Sequence, residues 1–192
     1  MEMEKEKLHY MIGAAFMAGL MAVLSQFTIP VGAVAMTLQT FVCALAGGLL
    51  GRKWGAVSIS IWLLLGILGI PVLTMGKAGP GIFMSPVGGY YIGFIIMAGF
   101  SGFYSENKKY ILRKILLSLS GLLVCYIFGT AWFMGYFSIA LEKEMPLWTA
   151  MTMTVFPFVI FDLIKVSAGV FFGIRIRSAL EQAGLLRLNK PI

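Results

Sequence analysis

Charged residues are scarce in this chain. Only 12% of its 192 residues are Asp, Glu, Lys or Arg, whereas 59% are hydrophobic, and soluble domains carry about 25% charge. So little polar surface cannot coat a water-soluble particle of this size, so lipid must solvate most of the chain. The composition excludes an ordinary soluble enzyme and leaves little room for a separate aqueous domain.

Residues that commonly perform chemistry are also few. The two cysteines, Cys43 and Cys125, lie far apart in apolar sequence, and His9 is the single histidine. This spacing predicts neither a disulfide framework nor a metal site, and we expect no cofactor. No P-loop motif is present, so any ATP hydrolysis must come from a partner. With no nucleophile and base visible as a pair, we do not expect an enzyme.

Long apolar runs dominate what is there. Runs long enough to approach the ~30 Å of bilayer hydrocarbon lie near residues 10–27, 36–51, 54–70, 86–104, 111–134 and 147–174. The second and third are joined only by residues 51–55, so they form a tight helical hairpin or are partly re-entrant. We predict an all-α integral membrane protein with six transmembrane helices and one transmembrane domain over residues 1–192.

The basic residues lie between these runs. The net charge is +7, and twelve of the fifteen Lys and Arg residues fall in the termini and alternate loops of one side. By the positive-inside rule both termini are cytoplasmic in a plasma-membrane protein, and the loops near 28–35, 71–85 and 135–146 face outward. The distribution indicates membrane topology, and we expect no nucleic-acid partner.

Two ionisable residues stand inside the last apolar run. Asp162, the single aspartate, and Lys165 are three positions apart and would share one helical face. Each charged group at membrane depth costs at least ~2.5–3.5 kcal/mol, so we interpret the pair as the centre of a ligand site. The alternatives are a structural ion pair, or a lysine that reaches toward an interface.

Two further polar stretches lie at or before the start of apolar runs. Thr37 and Gln39 open the second run, where a buried glutamine amide needs a partner. The outward loop 75–81 is rich in glycine and contains Lys77; it is either a ligand lid or a flexible connector, and Lys77 either meets an anionic ligand or is solvated.

The fourth run begins with another candidate binding element. Ser85, Gly88, Gly89 and Tyr90 combine glycines, which let backbone approach a ligand, with a ring that carries a hydroxyl group. Tyr90 could equally be an anchor at the membrane interface.

The first run contains a stripe of small residues. Ala14, Ala18 and Ala22 recur at every fourth position, a spacing that permits close helix–helix approach in lipid. The stripe can dock onto a partner or pack within its own bundle.

Together these motifs resemble the BioY family, the biotin-binding S component of energy-coupling factor (ECF) transporters. The resemblance rests on the order of Thr37-Leu38-Gln39-Thr40-Phe41, Ala46-Gly47-Gly48-Leu49-Leu50-Gly51, Leu65-Gly66-Ile67-Leu68-Gly69-Ile70-Pro71-Val72, Ser85-Pro86-Val87-Gly88-Gly89-Tyr90-Tyr91-Ile92-Gly93-Phe94, and Phe156-Pro157-Phe158 with Asp162 and Lys165.

The resemblance implies a six-helix protein whose outward loops close over one biotin molecule. It implies that the alanine stripe docks onto the transmembrane coupling subunit of an ECF module, whose ATPase subunits supply the energy. In that case Asp162 accepts from the ureido N–H groups of biotin, Lys165 donates to the ureido oxygen or to nearby polar groups, and Gln39 and Tyr90 complete the cage. Two rival functions are a self-sufficient oligomeric biotin facilitator and an ion- or proton-coupled carrier in which Asp162 and Lys165 titrate.

Overall fold

The computed structural model describes residues 2–31, 34–103 and 110–186. Within these ranges the chain forms six helices and one two-stranded antiparallel ribbon. The elements are α1 (Glu2–Leu24), β1 (Thr28–Val31), β2 (Val34–Thr37), α2 (Gln39–Ile67), α3 (Gly88–Ser101), α4 (Ile111–Ala140), α5 (Leu147–Thr154) and α6 (Val159–Gln182). Two short 3₁₀ turns, Thr74–Gly76 and Pro80–Met84, lie between α2 and α3.

Helix α2 reverses direction at Gly51. The backbone there has φ 82° and ψ 178°, which is not helical and suits glycine. A Cβ built on Gly55 would lie 2.7 Å from the Cα atom of Gly47, although eight residues of straight helix span about 12 Å. The two arms of α2 therefore form the tight hairpin that was one of the two predicted arrangements.

Each of the six predicted apolar runs corresponds to one helical unit if the arms of α2 are separated and α5 is joined to α6. By length and composition, three described helical stretches can cross a membrane: Glu6–Leu24, Gln39–Ile67 and Ile111–Ala140. A fourth is the pair formed by α5 and α6, which is bent by 53°. Helix α3 has only 14 residues, about 21 Å of helix, so length alone does not assign it as a span.

The α2 hairpin is the centre of the bundle and packs against α1, α3 and α6, while α4 packs against α3. Small residues allow the close approach of α6 to α2. A Cβ on Gly169 would lie 2.6 Å from the Phe41 carbonyl oxygen, and one on Gly173 would lie 2.9 Å from the Leu45 carbonyl oxygen. Close backbone packing of this kind is how helices associate in lipid, and it positions the start of α6 beside the start of α2.

The alanine stripe of α1 faces the interior of the bundle. Ala14 and Ala18 are each only 1% exposed, and Ala22 is half-buried. Ala14 and Ala18 therefore pack on their own bundle, which was one of the two alternatives for the stripe, and a partner contact by Ala14, Ala18 and Ala22 stays a prediction. Spacing identified a small-residue face of α1 but could not say which way it points.

One predicted outward loop, near 28–35, contains regular structure. Strands β1 and β2 pair antiparallel, with Thr28 opposite Thr37 and Val31 opposite Val34. The following loop is fastened to α1, since the Ser25 hydroxyl donates to the Val72 carbonyl at 2.7 Å and the Gln26 amide donates to the Leu73 carbonyl at 3.1 Å. These contacts hold the ribbon and the loop together over one end of the bundle.

Candidate ligand-binding site

A cavity of about 140 Å³ lies at this end of the bundle. The starts of α2, α3 and α6, the middle of α4 and the end of α5 form its walls, and β2 and the loop around residues 74–77 cover it. Its apolar wall includes Phe94, Leu122 and Phe158. A small cavity with a largely apolar wall and a few polar groups is typical of a site for a small organic molecule.

Asp162 lies in the first turn of α6 and is 4% exposed. The Thr40 hydroxyl donates to its Oδ1 atom at 2.9 Å, and the Tyr126 hydroxyl donates to its Oδ2 atom at 2.5 Å. The N-terminus of a helix also favours negative charge. The 53° bend between α5 and α6 turns this helix start, and with it the carboxylate, toward the cavity.

Lys165 completes the predicted pair. Its Nζ atom lies 2.5 Å from Oδ1 of Asp162 and donates to the Thr37 carbonyl at 2.8 Å. An ammonium group has three N–H donors and a carboxylate has about four acceptor positions. The contacts described use two of the donors and three of the acceptor positions, so one donor on Lys165 and one acceptor position on Asp162 remain for a ligand.

Gln39 contributes a second unused donor. Its Oε1 atom accepts from the hydroxyls of Thr37 at 2.7 Å and Thr74 at 3.2 Å. Its Nε2 atom is buried and has no hydrogen-bond partner, which is costly unless something bonds it. Because Gln39 lines the cavity, a ligand acceptor is the natural partner for this amide.

Tyr90 lines the cavity through its ring more than through its hydroxyl. The hydroxyl lies 3.3 Å from Oγ1 of Thr130 and 3.5 Å from the Thr154 carbonyl. Its ring packs directly on Gly129, where any Cβ would collide with it. Tyr90 therefore forms a fixed aromatic wall between α3 and α4.

Five of the eight predicted binding residues line this one cavity, namely Thr37, Gln39, Tyr90, Asp162 and Lys165. The structure thus brings together residues from β2, α2, α3 and α6. Within the described residues, no three His, Cys, Asp or Glu side chains come together as metal ligands would.

The other three predicted residues, Ser85, Gly88 and Gly89, do not line the cavity. The Trp132 indole donates to the Ser85 carbonyl at 3.1 Å, and the Ser85 hydroxyl donates to the Ile82 carbonyl. A Cβ on Gly88 would lie 2.9 Å from Nε1 of Trp132, and one on Gly89 would collide with the same side chain. These residues seat the start of α3 on α4, and their contact with a ligand stays a prediction that the cavity lining does not support.

Two polar residues beside Asp162 were not among the predicted site residues. Thr40 belongs to the Thr37–Phe41 motif, and its position next to Gln39 was the available signal. Tyr126 lies within the apolar sequence of α4, and nothing in its spacing relative to Asp162 signals their contact. Lys77 also lines the cavity. It lies in the loop that covers the cavity and is exposed.

Comparison with known proteins identifies the family of the chain. The model of the BioY family matches residues 2–182. The chain is 30% identical to the biotin transporter BioY of Thermotoga maritima over 88% of this chain and 96% of the relative. It is 31% identical to the biotin transporter BioY2 of Lactococcus lactis subsp. cremoris, over 93% of this chain and 96% of the relative.

A solved structure is similar as well. The S-component for biotin from an ECF-type ABC transporter matches with a TM-score of 0.79 and 29% identity, over 90% of this chain and 92% of that chain. The predicted all-α membrane fold of the S-component type is confirmed. The family resemblance inferred from the motifs is likewise confirmed, and the chain belongs to the BioY family.

Proposed function

We propose that this chain is the biotin-binding, substrate-capturing membrane subunit of an ECF-type ABC transporter and serves biotin uptake. The observation that carries the proposal is the Asp162–Lys165 pair, which lies in the wall of a closed-over cavity beside the unpartnered Gln39 amide. Relatives of similar length are named biotin transporters, and the similar solved structure is an S-component for biotin.

The polar groups of the cavity suit the head of biotin. A ureido group presents N–H donors on either side of a carbonyl acceptor. The remaining acceptor position of Asp162 takes a ureido N–H, and the ureido oxygen accepts from Lys165 or from Nε2 of Gln39. Tyr90 and Phe94 flank the apolar bicyclic body. Thr37 positions the two groups that contact the ligand, because its hydroxyl donates to Gln39 and its carbonyl accepts from Lys165.

The orientation in the membrane follows from the charges. Arg52 and Lys53 lie at the Gly51 turn, at the end of the bundle away from the cavity, and basic residues mark the cytoplasmic side. The cavity then opens outward and both termini are cytoplasmic. Lys77, exposed beside the cavity, attracts the carboxylate of the vitamin during approach.

Binding to the purified full-length chain tests this function. Calorimetry is expected to show tight binding of biotin, weaker binding of dethiobiotin, which keeps the ureido ring but lacks the sulfur ring, and none of lipoate, which lacks the ureido group. Equal affinity for lipoate and biotin would show that the polar head is not recognised and would overturn the assignment.

In our proposal, transport requires a coupling partner and its ATPases, and this chain itself binds no cofactor. Proteoliposomes that contain only this chain should therefore bind biotin without sustained uptake. Uptake without the ATPase module would favour the facilitator, and uptake that follows pH or membrane potential would favour the proton- or ion-coupled carrier.

The exposed face of α1 is where we place the coupling subunit. With Ala14 and Ala18 buried, the face that remains accessible carries Phe16, 66% exposed, and Gly19, where an added Cβ meets nothing within 4 Å. A small residue such as Gly19 on a lipid-facing helix allows close approach of another helix.

Gly19→Leu tests this placement. In the reconstituted full transporter we expect uptake to fall about tenfold or more, since loss of a close helix contact costs on the order of 1.4 kcal/mol, while biotin affinity of the isolated chain stays unchanged. Gly135→Leu on α4 is the matched control, because a Cβ there also meets nothing within 4 Å. Equal uptake by the Gly19→Leu protein and the wild type would contradict the placement.

A further inference from the structure

A second opening lies at the end of the bundle opposite the cavity. It is a groove of about 800 Å³ between the second arm of α2, the second half of α3 and the first turns of α4. None of its lining residues belongs to the candidate biotin site, and the inference drawn from it does not depend on the proposed function.

The rim of the groove is positively charged. Arg52 and Lys53 directly follow the Gly51 turn, Arg113 lies in the first turn of α4, and all three are exposed. The Arg52 guanidinium lies 4.4 Å from the centre of the Phe103 ring, which holds it over the groove. Among the described lining residues there is no Asp or Glu, so Arg52 and Lys53 make this part of the rim complementary to an anion.

Below this rim the wall of the groove is apolar. It is formed by aliphatic and aromatic side chains, among them Ile95, Phe100 and Leu117. Ala56 and Gly99 lie next to each other in this wall, since a Cβ built on Gly99 would lie 4.0 Å from the Ala56 Cβ, in ordinary van der Waals contact. Because both residues are small, they leave a slot over this part of the wall that larger side chains would fill.

Another groove on the same protein provides a contrast. It lies along the second half of α4, is lined by residues such as Phe128, Trp132 and Ile139, and has no cation among its described lining residues. Any lipid chain can fill such a groove. Of these two grooves, the one at the Gly51 turn joins an apolar slot to clustered cations at the predicted interface.

We propose that this groove binds an anionic phospholipid of the bilayer. The phosphate group bonds Arg52 and Lys53, and one acyl chain lies in the slot over Ala56 and Gly99. Guanidinium groups bond phosphate oxygens with two parallel hydrogen bonds, and basic pockets between helices on the cytoplasmic side suit lipid head groups.

Native mass spectrometry of the full-length chain tests this proposal. Phosphatidylglycerol and phosphatidylcholine with identical acyl chains are titrated separately, and retained lipid is counted. We expect the wild type to bind phosphatidylglycerol about tenfold more tightly, and the double variant Arg52→Gln/Lys53→Gln to lose that preference, since each cation near the membrane surface contributes appreciably.

Two further variants separate the site from general charge and from misfolding. Arg175→Gln removes an exposed arginine that also lies over a ring, 5.2 Å from the centre of Phe171, but outside the groove, and it should leave the preference unchanged. Gly99→Leu keeps all the charges but fills the slot, and it should weaken phosphatidylglycerol binding about tenfold as well.

Equal binding of the two lipids by the wild type would overturn the proposal. So would a preference that survives in Arg52→Gln/Lys53→Gln, or one that falls equally in Arg175→Gln, because the surface charge as a whole would then be responsible. Retention of phosphatidylglycerol by Gly99→Leu at the wild-type level would show that the slot does not hold the acyl chain and would overturn that part.

Discussion

Asp162→Asn is expected to weaken biotin binding at least tenfold, which corresponds to more than ~1.4 kcal/mol. The substitution keeps the shape of the side chain but removes its charge and replaces one acceptor by a donor. Lys165, Thr40 and Tyr126 all donate toward this position, so an NH₂ group there leaves donors without acceptors. Calorimetry with biotin on the purified variant measures the effect.

Glu144→Gln is the matched control for this substitution. It makes the same isosteric change at an exposed carboxylate that does not line the cavity, and its biotin affinity should equal that of the wild type. If Asp162→Asn also binds biotin with unchanged affinity, the carboxylate does not contact the ligand and the proposed role of the pair is wrong.

Lys165→Met is expected to reduce both stability and binding. It leaves the Asp162 carboxylate, 4% exposed, without its cation. Removing one partner of a buried pair costs about 3–5 kcal/mol, and the donor proposed for the ureido oxygen is lost as well. Thermal unfolding should therefore begin at lower temperature, and biotin affinity should fall more than tenfold. Lys143→Met, at an exposed lysine on the same end, is the control and should change neither.

The double variant Asp162→Asn/Lys165→Met distinguishes a ligand site from a structural brace. Without either charge, no uncompensated ion remains buried, so stability should recover relative to Lys165→Met. Biotin affinity should stay low, since both ligand contacts are gone. Recovery of both stability and affinity would show that the pair only braces α6 against α2 and β2.

The features that could be predicted from sequence are those whose physical cause is local. The length of each apolar run predicts a helical unit, and the short break at residues 51–55 predicts either a hairpin or re-entrant segments, of which the structure has the hairpin. The cost of burying charge predicts that Asp162 and Lys165 pair, and their separation of three residues places both on one face of α6.

The features that the sequence did not reveal have a shared cause, since each depends on a contact between distant residues. The spacing of Ala14 and Ala18 cannot reveal that α2 covers them. In sequence, Gly88 and Gly89 are consistent with close approach of a ligand. In the structure, the side chain of Trp132, on another helix, packs against them. Tyr126 lies 36 residues before Asp162, and only the packing of α4 near α6 brings their side chains together.

Strands β1 and β2 escaped prediction for a related reason. Each has four residues, and β1 contains Pro30, so neither shows a clear strand pattern. Their pairing places Thr37 at the end of the ribbon, where its hydroxyl and carbonyl orient Gln39 and Lys165. A short ribbon therefore sets the position of two groups proposed to bind the ligand.

The attachment of the loop after α2 to the end of α1 links two distant surfaces. The side chains of Ser25 and Gln26 donate hydrogen bonds to the carbonyls of Val72 and Leu73. The loop continues from there to Thr74 and Lys77, which line the cavity. A tilt of α1 relative to the hairpin must either break these hydrogen bonds or pull the loop with it. A protein that binds the lipid-facing side of α1 and tilts the helix would therefore move the loop that covers the cavity.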